Sequence, residues 1–236
     1  MRSQNAFRRG IHAGLPIGLG YFSVSLSFGI LAVSYGFSWW QAVLISMLCV
    51  TSAGQLAAVP IIATQGSLIE LAVSQLVINL RYALMSISLS QKMDKDMTTP
   101  HRMAFAFINT DEVFAVASSQ GSPVNKAYLY GLILTPWLGW SVGTLLGALA
   151  GNILPAIVTS SLSVAIYGMF IAIVVPEMKA SRPTAICVCI AVALSCGFYF
   201  IPMLQAVPSG FVIIICACIA SVIMAIVAPI PQEVTK

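Results

Sequence analysis

Three ionisable residues lie where an apolar sequence offers them little water. Arg81 lies well inside the apolar stretch 67–90, and Asp111 and Glu112 are adjacent in a second, weaker stretch. An unpaired Arg near the centre of a membrane span costs about 2.5–3.5 kcal/mol on insertion scales. Arg81 must therefore face a partner, a water-filled cavity or a bound anion. An Arg that holds neighbouring helices together through their carbonyl groups is the structural alternative.

Asp111 and Glu112 are the natural counterparts of this cation. Adjacent residues diverge by about 100° around a helix, so one acid can face a pathway while the other faces a loop or a lipid headgroup. Burial raises the pKa of an unpaired carboxyl group, which suits proton coupling. A solvated helix in a loop is the alternative interpretation.

Neutral polar residues accompany these charges. Asn79 follows Gln75 by four residues on the segment that carries Arg81, so the two amides share one helix face. The sequence Thr51-Ser52-Ala53-Gly54-Gln55 interrupts another apolar run, 39–64, near its middle. Glycine and polar side chains at this depth fit a broken helix, which a membrane tolerates where the backbone is buried in protein or lines a cavity. A continuous span with a polar packing face is the alternative.

The elements that position these residues must lie in a membrane. Of the 236 residues, 59% are apolar and 8% are charged, and the formal net charge is +4. A soluble domain has about a quarter of its residues charged, because it needs a surface that water can wet. This chain cannot form such a surface, which excludes a water-soluble enzyme and indicates an integral membrane protein.

Hydropathy predicts an all-α polytopic bundle of transmembrane helices. Seven stretches have about the length of a span: 14–36, 39–64, 67–90, 127–151, 158–176, 184–203 and 210–230. An eighth, 104–119, is about 24 Å long as a helix, short of the roughly 30 Å hydrocarbon core. We expect six to eight spans with one or two broken or re-entrant segments.

The positions of Lys and Arg limit the topology, because cytoplasmic loops are enriched in both residues. If 39–64 and 104–119 both turn back, the chain has six spans and all ten basic residues other than Arg81 fall on one side. If both cross, there are eight spans, and Lys92, Lys95 and Arg102 move to the other side. Both alternatives put both termini in the cytoplasm.

Small residues and prolines give two further patterns. Pro16, Gly36 and Pro60 have weak counterparts at Pro136, Gly151 and Pro176, which suggests halves 14–90 and 127–203 joined by a linker, 91–126, within one membrane domain, 1–236. A small residue at every fourth position forms a ridge that predicts close helix packing: Gly131, Thr135, Gly139, Gly143, Gly147 and Gly151.

The remaining chemistry is sparse. The six cysteines all lie in apolar runs, where they are expected to act as small core residues. We find no nucleophile with a nearby base, no phosphate-binding loop, no metal motif and no nucleic-acid surface. The sequence therefore predicts neither an enzyme nor a protein with a metal or cofactor.

Four short motifs resemble the AzlC family of membrane proteins in their order and spacing, over about residues 8–150. They are Gly14-Leu15-Pro16 with Phe28-Gly29 and Gly36, then Ser52-Ala53-Gly54-Gln55, then Asn79-Leu80-Arg81-Tyr82, and finally Thr110-Asp111-Glu112-Val113-Phe114. The resemblance implies the large subunit of an exporter of valine, leucine, isoleucine and analogues in the bacterial cytoplasmic (inner) membrane. It also implies a small, hydrophobic AzlD-type partner subunit.

Such a substrate is a zwitterion with an aliphatic tail, and the polar residues at membrane depth suit it. Our hypothesis is that Arg81, or the backbone donors from Ser52 through Gly54 to Gln55, meets the carboxylate. Asn79 and Gln55 then orient the substrate. Asp111 or Glu112 meets the ammonium group or carries a proton. The competing hypothesis is a scaffold or assembly subunit of the membrane in which Arg81 and Asp111 pair only to hold helices together.

Overall fold

The chain folds as a bundle of helices, which confirms the predicted class. The computed structural model describes residues 2–94, 97–120, 123–151, 157, 171 and 174–228. Within these residues the regular elements are α1 (Arg2–Ser34), α2 (Trp39–Leu48), α3 (Ala53–Ala63), α4 (Leu68–Lys92), α5 (Thr99–Phe107), α6 (Asp111–Ser118), α7 (Lys126–Gly151), α8 (Arg182–Phe200) and α9 (Ser209–Val227).

Five of these helices, α1, α4, α7, α8 and α9, are long and apolar enough to cross a membrane. The other four have 8 to 11 residues and cannot span the core alone. Residues 174–180 are also helical, but most of the predicted stretch 158–176 lies outside the described residues.

The longest interface joins α1 to α7, and the glycine ridge forms it as predicted. Gly131 packs on the backbone of Phe7, Gly139 on Gly18 and Gly147 on Leu26. Residue numbers rise together along both helices, so α1 and α7 run parallel. The absence of Cβ atoms lets the two backbones come into contact, which favours association where no hydrophobic driving force exists between helices.

The two helices of this interface begin the two predicted halves, 14–90 and 127–203. Part of the second half lies outside the described residues, so the internal repeat stays a prediction. The predicted linker, 91–126, contains α5 and α6, which pack against α4 and α7.

The segment 39–63 turns back on itself and does not cross the bundle. The Gln55 side-chain amide donates to Ser46 Oγ at 3.0 Å, whereas nine residues of continuous helix would separate their Cα atoms by about 13.5 Å. Ala42 and Val59 also share one buried cluster. The helices α2 and α3 are therefore the arms of a re-entrant hairpin, which we call the first hairpin. Its tip includes Ser52, whose φ of +31° reverses the chain.

The segment 99–118 forms a second re-entrant hairpin, made of α5 and α6. Arg102 donates to the Ser90 carbonyl at 2.8 Å, and Lys92 donates to the Ser118 carbonyl at 3.1 Å, so both ends of this hairpin lie beside the end of α4. Its tip at Asp111 contacts Arg81, eleven residues or about 16 Å back along α4. The weak eighth stretch is thus re-entrant.

Both hairpins turn back, as the six-span alternative requires; five of its spans are described, and most of the remaining stretch, 158–176, lies outside the described residues. The connection between α8 and α9 folds into turns, including a 2.9 Å bond from Leu204 N–H to the Ile201 carbonyl, and is too short to span α9. The helices α8 and α9 are therefore antiparallel. The Gly210 N–H, at the start of α9, donates to Glu70 near the start of α4 at 2.8 Å. One end of the bundle, the basic end, carries Arg8, Arg9, Lys92, Arg102, Lys126, Lys179 and Arg182.

This topology predicts which residues share a side of the membrane. In a background without native cysteines, we expect Tyr35→Cys and Leu68→Cys to react with an impermeant maleimide from one side. Ser119→Cys, at an exposed position after α6, should react from the other, because neither hairpin crosses. Labelling of sealed vesicles before and after permeabilisation measures this. Reaction of positions 35 and 68 from opposite sides would contradict the re-entrant first hairpin.

The helix interface predicts a contrast between two glycines. A Cβ at Gly147 would overlap the Leu26 carbonyl oxygen, whereas a Cβ at Gly20 would have no atom within 4 Å. We expect Gly147→Ala to lower the free energy of unfolding by about 1–3 kcal/mol. The control, Gly20→Ala, should be neutral or slightly stabilising, since Ala favours helix. Unfolding of the purified protein in detergent measures both, and equal effects would argue against the interface.

Candidate functional site

The tips of the two hairpins meet and enclose a small cavity. Trp137, near the middle of α7, donates its indole N–H to the Met47 carbonyl at 3.1 Å, which puts the first tip deep in the bundle. The cavity has a volume of about 220 Å³, below the roughly 300–1,000 Å³ of sites for drug-sized ligands, so it suits a small solute. It is lined by Leu48, Cys49, Val50, Thr51, Asn79, Tyr82, Ala106, Phe107, Asn109 and Thr110.

Two asparagines of the cavity wall have amide oxygens without a partner among the described residues. Asn79 and Asn109 donate their amide N–H groups to Gln75 Oε1 at 3.2 Å and to Ser86 Oγ at 3.1 Å. The Oδ1 atoms of both asparagines are buried and accept no hydrogen bond from the residues that the structure describes. A buried acceptor without a donor costs about 1–3 kcal/mol. Both asparagines line the cavity, so these two buried acceptors lie close to any donor that enters it, and a turn of either amide group would expose its oxygen.

Arg81 and Asp111 pair beside this cavity. The guanidinium Nη1 lies 2.8 Å from Asp111 Oδ2, and both side chains are about half exposed. Arg81 also donates to the Tyr82 hydroxyl at 3.1 Å, and its guanidinium lies 4.9 Å from the centre of that ring. Because Tyr82 lines the cavity, the ion pair lies at its rim. The expected counterpart of Arg81 is thus in contact with it.

Glu112 faces a different helix from Asp111, as their adjacency predicts. The Tyr21 hydroxyl of α1 donates to Glu112 Oε2 and shares a second hydrogen bond with the Thr110 hydroxyl, whose Oγ1 lies 2.7 Å away. The second tip is therefore tied to α4 through Asp111 and to α1 through Glu112. Tyr21 could not be predicted from the sequence, because nothing in the local pattern of α1 indicates a partner 91 residues away.

Gln55 lies behind the cavity and not in its wall. The side chain is fully buried, donates to Ser46 and accepts from the Trp140 indole N–H at 2.9 Å. Ser46 in turn bonds Thr144 Oγ1 at 2.7 Å. This network joins the first hairpin to α7.

Ser52 and Gly54 lie at the edge of the cavity, next to its lining residue Thr51. The Gly54 carbonyl accepts from Gln75 Nε2 at 2.9 Å. A Cβ at Gly54 would crowd Gln75 and Asn79, so glycine lets the first hairpin approach α4. The structure thus gathers Arg81, Asn79 and Asp111 around the cavity, with Ser52 and Gly54 close by.

Asn109 is the main cavity residue that is absent from the site predicted from the sequence. It directly precedes the motif that begins with Thr110 and Asp111 at the second tip. This position in the sequence is the signal that could have identified it. Its side chain is 3% exposed. Among the described residues, no group of three His, Cys, Asp or Glu could hold a metal ion.

Comparison with known proteins gives one family and several relatives. The family model described as AzlC protein matches residues 16–154. An uncharacterized membrane protein of Archaeoglobus fulgidus is 37% identical over 175 residues, 73% of this chain and 76% of that protein. The inner membrane protein YgaZ of Escherichia coli is 27% identical over 236 residues, 96% of this chain and 94% of that protein. No solved structure matches. Every residue that lines the cavity lies within the matched range.

The network at Gln55 predicts a structural effect. We expect Gln55→Leu to lower the free energy of unfolding by about 1–3 kcal/mol, because it leaves the buried Trp140 indole N–H without its acceptor. The control, Gln91→Leu, changes an exposed residue of α4 and should stay within about 0.5 kcal/mol of wild type. Chemical unfolding in detergent measures both. Equal stability of the two variants would contradict this role.

Proposed function

Because this chain belongs to the AzlC family of membrane proteins, we propose that it is a transporter, not an enzyme, that exports branched-chain amino acids from the cytoplasm. The substrates are valine, leucine, isoleucine and analogues. The observation that carries the proposal is the cavity between the tips of two opposed hairpins, where the amide oxygens of two lining asparagines have no partner among the described residues. Transporters commonly bind substrates near the middle of the membrane, beside interrupted helices.

The two free acceptors suit the ammonium group of an amino acid. An ammonium has three N–H donors and no acceptor, so Asn79 Oδ1 and Asn109 Oδ1 can each take one. The same cavity carries Leu48, Val50 and Phe107, which offer an apolar surface to a branched side chain. A cavity of about 220 Å³ limits the substrate to a small molecule.

The first hairpin suits the carboxylate. Its tip at Thr51 and Ser52 leads into the N-terminus of α3, where the helix dipole favours negative charge. Arg81 reaches the rim, but its charge is already paired with Asp111 at 2.8 Å. We therefore propose that the α3 N-terminus meets the carboxylate, and that Arg81 and Asp111 exchange partners, or Asp111 or Glu112 carries a proton, as the substrate moves.

We also propose an orientation in the membrane and a partner subunit. The positive-inside tendency assigns the basic end, and both termini, to the cytoplasmic side of the inner membrane. A small, hydrophobic AzlD-like subunit would complete the exporter. In support of this partner, α8 has no buried residue, although it is apolar enough to span the membrane.

A scaffold subunit is the second candidate function. It is favoured by the direct contact of Arg81 with Asp111, which ties the second hairpin to α4 without any substrate. If the ion pair between Arg81 and Asp111 breaks during transport, exchanging the two charges should impair transport. If the pair only holds the helices together, the exchange should not.

Export can be tested in cells fed dipeptides of valine, leucine or isoleucine, which load the cytoplasm without amino acid uptake. In cells that lack this chain and the proposed AzlD-like partner subunit, restoring both should lower the retained pools. Asn109→Leu and Asn79→Leu should slow export about tenfold or more, because a lost hydrogen bond to a charged group costs about 1.5–3 kcal/mol. Intracellular amino acid analysis measures this.

The matched control is Asn5→Leu, at an exposed position of α1, which should export normally. Each variant is checked for membrane level and for monodisperse elution. Unchanged pools for all three amino acids would overturn the proposed substrate. Normal export by both cavity variants would overturn the proposed site.

Exchanged charges separate the two candidate functions. Arg81→Gln alone leaves Asp111 unpaired, and we expect it to lower the yield of folded protein, since breaking a partly buried pair destabilises. The double variant Arg81→Asp with Asp111→Arg should restore folding in both cases. For a transporter it should not restore export, because the cation now lies on the second hairpin. Restored folding with unaltered export would contradict a substrate-linked role for the pair.

A further inference from the structure

A second and larger cavity lies at the basic end of the bundle. It has a volume of about 750 Å³ and opens between α1, α5 and α7. Phe7, Ala127, Tyr130 and Leu134 form most of its wall. It shares no lining residue with the cavity between the hairpin tips, so the proposed substrate site does not account for it.

The charged residues described in the wall of this cavity are basic. Arg8 and Lys126 line it with His101, and no Asp or Glu is among its lining residues with described positions. Neither Arg8 nor Lys126 has a carboxylate within 4.0 Å among the residues with described positions. His101 Nδ1 and the Tyr130 hydroxyl are 2.7 Å apart, so these two groups already share a hydrogen bond. A ligand that fits must combine a negative group with an apolar body.

The cavity also lies at the edge of the bilayer, where molecules with a negative group and an apolar body are abundant. Lys126 begins α7, and Phe7 packs beside Gly131 in the first turns of the α1–α7 interface. This is the level at which the basic residues end and the apolar spans begin, the edge of the bilayer. Basic pockets between helices at this edge bind acidic lipid headgroups.

We propose that this cavity binds an anionic phospholipid of the adjacent leaflet. The lipid phosphate pairs with Arg8 and Lys126, since guanidinium and phosphate form charge-assisted hydrogen bonds. The first part of an acyl chain lies against Phe7 and Leu134. Because His101 belongs to α5, the lipid would contact the second hairpin as well as the α1–α7 pair. It would thereby hold the start of α5 against these two helices.

Lipid retention by the purified full chain tests this proposal. The protein is equilibrated with equal amounts of phosphatidylglycerol and phosphatidylcholine, and the bound lipid is counted by native mass spectrometry. We expect preferential retention of phosphatidylglycerol. The double variant Arg8→Gln with Lys126→Gln should weaken it about thirtyfold, because the loss of each basic residue near an anionic lipid surface lowers binding about fivefold to sixfold.

The matched control is Arg9→Gln, which removes a neighbouring exposed charge outside the cavity and should retain the lipid. A second variant, Ala127→Glu, puts a carboxylate beside both cations at a helix start that favours acids and should also expel the lipid. Equal retention of both lipids, or retention by the folded double variant, would overturn the proposal. Displacement by millimolar inorganic phosphate or glycerol 3-phosphate would identify a free-anion site and overturn it as well.

Discussion

A polar group at membrane depth must find its partner inside the protein, and the described structure depends on this constraint. Lipid offers no hydrogen bonds, so the irregular backbone at the tips of the hairpins can exist only where it is buried in protein or lines a cavity. The two tips meet that requirement together, because they enter from opposite ends and meet beside Tyr82 and Asn79 of α4. Each tip thereby helps to shield the other, and the space that remains between them is the cavity.

The parallel pair α1 and α7 provides the frame that holds the tips at this depth. Backbone contact along the glycine ridge fixes the two helices against each other. Each hairpin is then attached to this frame by a polar contact, the first through Gln55 and Trp140 and the second through Glu112 and Tyr21. The α4 helix adds the ion pair between Arg81 and Asp111. The polar residues therefore divide into those that attach the hairpins and those that face the cavity.

Within this division, the asparagines differ from the charged residues. Arg81, Asp111 and Glu112 all have partners in the structure, whereas the carbonyl oxygens of Asn79 and Asn109 have none among the described residues. Leaving a buried neutral acceptor without a partner costs less free energy than leaving a buried charge unpaired. The two amide oxygens can thus stay without a partner among the described residues, while the charged residues of this region pair with other side chains.

Composition and local pattern were enough to determine the membrane environment, the helical class and the packing role of the glycine ridge, because these follow from burial and periodicity along the chain. They also limited the topology, since the basic residues agreed with only two arrangements of 39–64 and 104–119. Only the tertiary structure decided that both segments turn back, because a helix and a hairpin arm have the same local hydropathy. It also decided that Gln55 faces α7 while Asn109 faces the cavity. Both outcomes depend on partners more than 20 residues away, which no local pattern contains.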